Sequence, residues 1–326
     1  MKHWASRGAV AWLLWPASLL FGVAVVLRRL SFKLGIFSSH KAGIPVIVVG
    51  NLVAGGSGKT PLVLRIVELL REHGWRPGIV SRGYGGAAAA KGGAPREAGI
   101  ASDPAEVGDE PILLARRSGC PVWVAPERNA ACRALRKQHP ECNVIVTDDG
   151  LQHYALARDL EICVVDGRGF GNGFLLPAGP LRELPSRLSS VDAVVTHGDA
   201  GVKGYAMQLQ GESLVRITNA RDVRPVKSFA GQIVHAVAGI GDPERFFQQL
   251  ARFGLQLVPH PFADHHPFRA DELDFGDGAP VVMTEKDAVK CKRFAQAHHW
   301  VFPVSASLDP MFERWLLEKL SGSKAA

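Results

Sequence analysis

The sequence predicts an α/β protein: a parallel-sheet domain, a second and smaller α/β domain, and an apolar helix at the N-terminus. Three observations predict it. Strand-like runs at 46–50, 77–81, 121–125, 143–147, 161–165 and 192–196 alternate with helical patterns, as in a parallel sheet covered by helices. A second alternation starts near Ile233. A stretch of 20 residues without a charge, Gly8 to Leu27, precedes the first strand. The 326 residues leave room for two domains of ordinary size. With 47% hydrophobic and 21% charged residues, the composition excludes a disordered chain, collagen and a disulfide-rich mini-protein.

The chain opens on a basic belt. Lys2, Arg7, Arg28, Arg29, Lys33 and Lys41 carry six of the seven net positive charges, and the first acid is Glu68. The rest of the chain is nearly neutral and has no second dense cluster of Lys and Arg interleaved with aromatics, which argues against a nucleic-acid partner. The uncharged run is long enough for a helix to cross a hydrocarbon core. Trp4, Trp12 and Trp15 lie toward one end, as interfacial aromatics do. Pro16 is expected to kink the helix or break it in two. No small-residue cleavage site follows the run, so a signal peptide is disfavoured. Membrane attachment, spanning or interfacial, is favoured over a buried core helix. The basic residues after the run put the body on the cytoplasmic side. Five cysteines, none in C-x-x-C spacing, suggest neither a zinc site nor a disulfide framework.

Pro45 to Gly50 follows as a buried parallel strand. It leads into Asn51-Leu52-Val53-Ala54-Gly55-Gly56-Ser57-Gly58-Lys59-Thr60, then Pro61 and a helix with an apolar stripe of Val63, Ile66, Val67 and Leu70. Strand, glycine-rich turn, Gly-Lys-Thr and helix define a phosphate-binding P-loop, so the larger domain is P-loop NTPase-like. Gly55, Gly56, Ser57 and Gly58 turn backbone N–H groups onto an anion, Lys59 reaches the β- and γ-phosphates, and the Thr60 hydroxyl ligates Mg²⁺. Val53 stands where the strict pattern has glycine. The strand 143–147 ends in Asp148-Asp149-Gly150, an arrangement that orients Mg²⁺ or its waters. The spacing leaves open which aspartate meets the metal.

The order and spacing of the remaining motifs are specific. They are Gly-Asn-x-x-x-Gly-Gly-x-Gly-Lys-Thr-Pro at 50–61, Ser-Arg-Gly-Tyr-Gly-Gly at 81–86 and Gly-Asp-Glu-Pro at 108–111. Asp-Asp-Gly-Leu-Gln-His at 148–153, Pro-Ala-Gly-Pro-Leu-Arg-Glu at 177–183, Asp-His-His-Pro-Phe at 264–268 and Thr-Glu-Lys-Asp-Ala-Val-Lys at 284–290 follow. Together they resemble the tetraacyldisaccharide 4'-kinase family of the lipid A pathway. The resemblance implies transfer of the ATP γ-phosphate to the 4'-hydroxyl of an acylated glucosamine disaccharide 1-phosphate, giving lipid IVA. It implies ATP and Mg²⁺ as cofactors. The implied location is the cytoplasmic face of the inner membrane, in contact with its lipids.

The resemblance also assigns roles. Asp109 is implied as the general base and His265 as its partner, with His266 the competing histidine. Read from the residues alone, Asp109 is first a helix N-cap, with the acids complementing the helix dipole. Arg182 and Glu183 are candidates for binding the phosphates of substrate or ATP, the alternative being a loop ion pair. Arg82 and Tyr84 are similar candidates. Thr284 to Asp287 has the form of a capping box. Glu285 occupies the lysine position of a guanine-reading motif, which favours ATP over GTP.

The expected organisation is a membrane helix and basic flank at 1–41, the P-loop domain at 42–205, linker strands at 206–228 and the smaller domain at 229–326. The competing reading is a membrane-associated P-loop NTPase acting as a switch or in transport.

Overall fold

The computed structural model describes residues 4–90 and 92–323; Lys2 of the basic belt lies outside them. Helix α1 (Ala9–Lys33) runs unbroken through Pro16. The proline forfeits one backbone hydrogen bond, to the carbonyl of Trp12, and the apolar flanks carry the helix past it. Only Ala11 and Ser18 of α1 are buried.

The larger layer follows as β1 (Val46–Gly50), α2 (Lys59–Glu72), β2 (Pro77–Ser81), β3 (Arg96–Glu97), α3 (Pro104–Val107), α4 (Asp109–Ser118), β4 (Val122–Val124), α5 (Arg128–Gln138), β5 (Val144–Thr147), β6 (Leu160–Asp166), β7 (Ala193–His197) and β8 (Tyr205–Gln210). The smaller layer is β9 (Ser213–Arg216), β10 (Asn219–Pro225), β11 (Ile233–Ala238), α6 (Pro243–Ala251), β12 (Gln256–Pro261), β13 (Val281–Thr284), α7 (Glu285–Cys291) and β14 (His299–Phe302). The chain ends in β15 (Ser305–Leu308) and α8 (Pro310–Ser323).

Strand β1 lies at the heart of a nine-stranded sheet ordered β15-β8-β7-β6-β1-β5-β2-β4-β3. Val46 opposes Ile145 on one side, and Ile47 opposes Leu160 on the other, both in parallel register. The strand has no polar face because both faces are covered. Ile47 and Val49 pack with α2 (Leu62, Val63, Ile66), and Val46 and Val48 pack with Leu135 and Leu151. The six-stranded sheet β10-β9-β14-β13-β11-β12 has its own core, with Phe246, Phe247 and Leu250 of α6 against Val234, Ala236 and Trp300.

The boundary between the layers differs from the expected one. Residues 305–323 follow the smaller unit in sequence but belong to the larger sheet. Strand β15 pairs antiparallel with β8, and Phe312, Leu316 and Leu320 of α8 join the core of Ile47 and Ile66. β8, expected among the linker strands, is parallel to β7 in the same sheet. An outer strand needs an apolar cover, and α8 supplies it.

Candidate active site

The C-terminal end of β1 feeds the P-loop, and a cavity of about 510 Å³ opens there between the two units. Gly55 to Thr60 form one wall, and Ile240, Phe246 and Phe302 of the smaller unit form another. Gly55 and Gly58 have φ of +98° and +85°, a region where side chains are strained. Gly58 caps α2, so the helix N-terminus points its free N–H groups into the loop. The Asn51 amide ties the loop to itself. Its nitrogen donates to Ser57 Oγ at 2.8 Å, and its oxygen accepts from Lys59 Nζ at 3.3 Å. Arg168, beyond β6, donates to the carbonyl of Gly56.

The two aspartates after β5 have different surroundings. Asp149, with φ of +52°, pairs with Arg182 at 2.8 Å and lies 3.6 Å from Lys59. Burial pushes its carboxyl up, but Lys59 and Arg182 outweigh burial and hold it at about 2. Asp148 is buried, and its Oδ1 has no hydrogen-bond partner among the described residues. Burial first, then Glu110, pushes its carboxyl well above the usual range.

Asp109 is the first residue of α4, and Gly108, not Asp109, is the cap. It is 4% exposed, and its Oδ1 accepts from the backbone N–H of Glu110 at 2.9 Å. Its Oδ2 lies 3.2 Å from His265 Nδ1 and 3.9 Å from Lys290 Nζ. Burial raises Asp109, while His265, Lys286 and Lys290 together hold it below the ordinary carboxylate range. His265 is brought there from the smaller unit in a left-handed conformation, φ +61°, unusual for a residue with a side chain. Tyr84 packs against it with its ring tilted by 56°, ring centres 5.0 Å apart. His266 turns away and bonds Glu272 at 3.0 Å, so the residue beside Asp109 is His265.

A profile of the family described as tetraacyldisaccharide-1-P 4'-kinase (LpxK) matches residues 10–321. The chain belongs to this family. It is 50% identical over 326 residues to the tetraacyldisaccharide 4'-kinase of Azoarcus sp. strain BH72, covering 98% of this chain and 94% of that one. It is 51% identical to that of Aromatoleum aromaticum over 327 residues, with 98% and 96% covered. A crystal structure of LpxK from Aquifex aeolicus in complex with ATP superposes with a TM-score of 0.78 at 26% identity, covering 95% of this chain and 99% of that one.

Within that family fold, the structure gathers Gly55, Gly56, Ser57, Gly58, Lys59, Thr60, Asp149, Arg182, Tyr84 and His265 at one cavity. Glu183 points elsewhere. It is buried and accepts from Gln152 at 2.9 Å and Tyr154 at 2.5 Å, so its carboxylate is already satisfied. Arg182 therefore pairs with Asp149 rather than with its neighbour. Arg82 is exposed and forms no ion pair with the described residues. Sequence reasoning missed Asn51, Arg168 and Lys286. Asn51 stood inside the quoted motif. Lys286 stood inside the capping segment, where its place in the first turn of a helix was the available signal: cations are disfavoured there.

Proposed function

We propose that this chain transfers the γ-phosphate of ATP to the 4'-hydroxyl of tetraacyldisaccharide 1-phosphate, giving lipid IVA, at the cytoplasmic face of the inner membrane. One observation carries the reading. Asp109, a carboxylate separate from the pair beside the P-loop, is held by His265, which lines the P-loop cavity, while Asp109 itself lines the adjoining cavity on the other side of His265. Transfer to a sugar hydroxyl is helped by a carboxylate that accepts its proton, and Asp109 stands apart from the pair beside the P-loop, free for that role.

In this reading the P-loop N–H groups and Lys59 bind the β- and γ-phosphates, and the apolar wall of Ile240, Phe246 and Phe302 receives the base of ATP. Mg²⁺ fits the residues present: Thr60, Asp148 and Asp149 are hard oxygen donors, and the buried Oδ1 of Asp148 has no other partner among the described residues. The ion, when bound, neutralises phosphate charge. Asp109 accepts the proton of the 4'-hydroxyl, and His265 holds its second oxygen in place. Arg182 orients Asp149. Helix α1, 25 residues long and mostly exposed, keeps the enzyme beside a substrate whose acyl chains stay in the bilayer.

The test is transfer of labelled phosphate from ATP to tetraacyldisaccharide 1-phosphate in detergent micelles. Label on the sugar is expected, and label released only to water would overturn the proposal. Asp109→Asn should lower turnover by about 10²-fold or more with ATP binding kept. A near-normal rate would leave Asp109 a helix-end residue.

A further inference from the structure

Lys286 has no part in the chemistry above, yet three polar groups converge on it. Its Nζ lies 3.0 Å from Asp264 Oδ1, 3.1 Å from Glu110 Oε1 and 3.2 Å from His265 Nε2. An ammonium has three donors and no acceptor. Each of the three groups must therefore offer it a lone pair, His265 Nε2 included. The ring then carries its one proton on Nδ1, and that N–H is donated to Asp109 Oδ2 at 3.2 Å.

We propose that Lys286 is a positioning residue that holds His265 in the neutral, Nδ1-protonated tautomer, so that Asp109 faces a neutral ring and not an imidazolium. The proposal rests on the functional reading only for the role of Asp109 as base. An imidazolium at this distance would pair tightly with the carboxylate and lower its affinity for the substrate's proton.

The charges around the ring show why such a brake is needed. Asp109 and Glu110 come from α4, Lys286 and Lys290 from α7, Asp264 from the loop of His265 itself, and Tyr84 from the loop after β2. The acids favour the imidazolium. Asp264 Oδ1 lies 3.8 Å from the same Nε2 and would accept its N–H if the ring took a second proton. The bond to Asp109 raises the proton affinity of His265 above that of a free imidazole, and burial and Lys286 offset only part of the rise. Lys286 remains charged: burial opposes the ammonium, but Glu110, Asp109 and Asp264 outweigh it. Helix capping explains Thr284, whose hydroxyl accepts from the N–H of Asp287. It does not explain a lysine in the first turn of α7, at the positive end of a helix dipole.

The experiment is ¹⁵N NMR of the imidazoles in the full chain in detergent micelles, with His265 assigned among the twelve histidines by its loss in His265→Gln. The wild type should show a bare Nε2 and a protonated Nδ1. Lys286→Met should mix the tautomers and raise the protonation midpoint of His265 by about one pH unit. The acid limb of kcat/KM for the sugar acceptor should also rise, since Asp109 loses the Lys286 charge that helps hold it low, so the tautomer is the deciding readout. Lys286→Arg keeps the charge and the donors and should retain the wild-type tautomer and limb, even at a reduced rate.

An Nε2–H tautomer in the wild type would overturn the proposal, a result that holds even where Lys286→Met fails to fold. So would a Lys286→Met protein with a raised KM for ATP but an unmoved tautomer and limb, since Lys286 would then be a phosphate ligand. The spectra need no turnover. A chain that phosphorylates no sugar but shows the expected tautomer fails the functional reading alone, and an active chain with an Nε2–H ring fails this inference alone.

Discussion

Arg168 holds the P-loop from outside it. The glycine-rich loop has little intrinsic stiffness, because Gly55 and Gly56 carry no side chain to restrict the backbone. Arg168 supplies the restriction by donating to the carbonyl of Gly56 while its guanidinium sits on Asp166 through bonds of 2.9 and 2.6 Å. Asp166 is 2% exposed at the end of β6, so the anchor is part of the sheet. A charge-assisted hydrogen bond of this kind contributes on the order of 1.5–3 kcal/mol. Arg168→Ala should therefore raise the KM for ATP roughly tenfold while changing turnover less. Melting should also occur at lower temperature, because the buried Asp166 loses its partner. Arg168→Lys keeps the charge but loses the fork, and should fall between the two. Initial rates against ATP concentration measure this; an unchanged KM in Arg168→Ala would reduce the residue to a surface ion pair with Asp166.

At the scale of elements, α1 is the piece whose outer face the fold leaves uncovered. Its inner side is fixed by Ser18, whose hydroxyl donates to Leu175 O at 2.8 Å and accepts from Ala178 N at 2.9 Å. Trp12 adds an edge contact to Phe174 at 5.2 Å. The opposite side carries Leu13 at 79% and Leu20 at 74% exposure. Leu13→Glu with Leu20→Glu should leave the melting temperature within error, since neither residue packs on the body. The same pair should abolish flotation with vesicles and raise the KM for a vesicle-borne acceptor about tenfold. Wild-type flotation of the double variant would make α1 a packing helix only.

The same contrast decides what the sequence made legible. β1, the P-loop and α2 are contiguous, and each is specified by local chemistry: β-branched residues, then glycines, then an amphipathic repeat. α1 was legible from its lack of charge, although Pro16 suggested a break that the flanking turns absorb. The pairing of Asp109 with His265 spans 156 positions, and no periodicity links them; only the resemblance did. β15 was illegible for a related reason. Its four residues could pair with any free edge, and the edge it takes is set by where α8 can bury Phe312, Leu316 and Leu320.

At the scale of the whole molecule, that return of the chain has a mechanical consequence. The two units are joined twice, between β8 and β9 at 211–212 and between β14 and β15 at 303–304. The two connectors touch. A Cβ on Gly211 would lie 2.7 Å from the carbonyl oxygen of Pro303 and 2.7 Å from the ring of Phe302. One of those atoms is backbone, so a side chain there must push the connectors apart. Phe302 also lines the ATP-sized cavity, and His265 and Lys286 reach Asp109 and Glu110 from the far side of these connectors. A displacement at Gly211 therefore moves the apolar wall against the P-loop and the His265 side against α4. Gly211→Val should raise the KM for ATP and lower turnover together, by about tenfold each, and lower stability by about 1–3 kcal/mol. Gly322→Ala in α8, where a Cβ meets nothing within 4 Å, is the control and should match the wild type. If Gly211→Val loses stability but keeps both kinetic constants, the units move independently of the connectors, and the cavity is set by the ion pairs between the units, Lys286 with Glu110 at 3.1 Å and Arg117 with Glu285 at 2.6 Å.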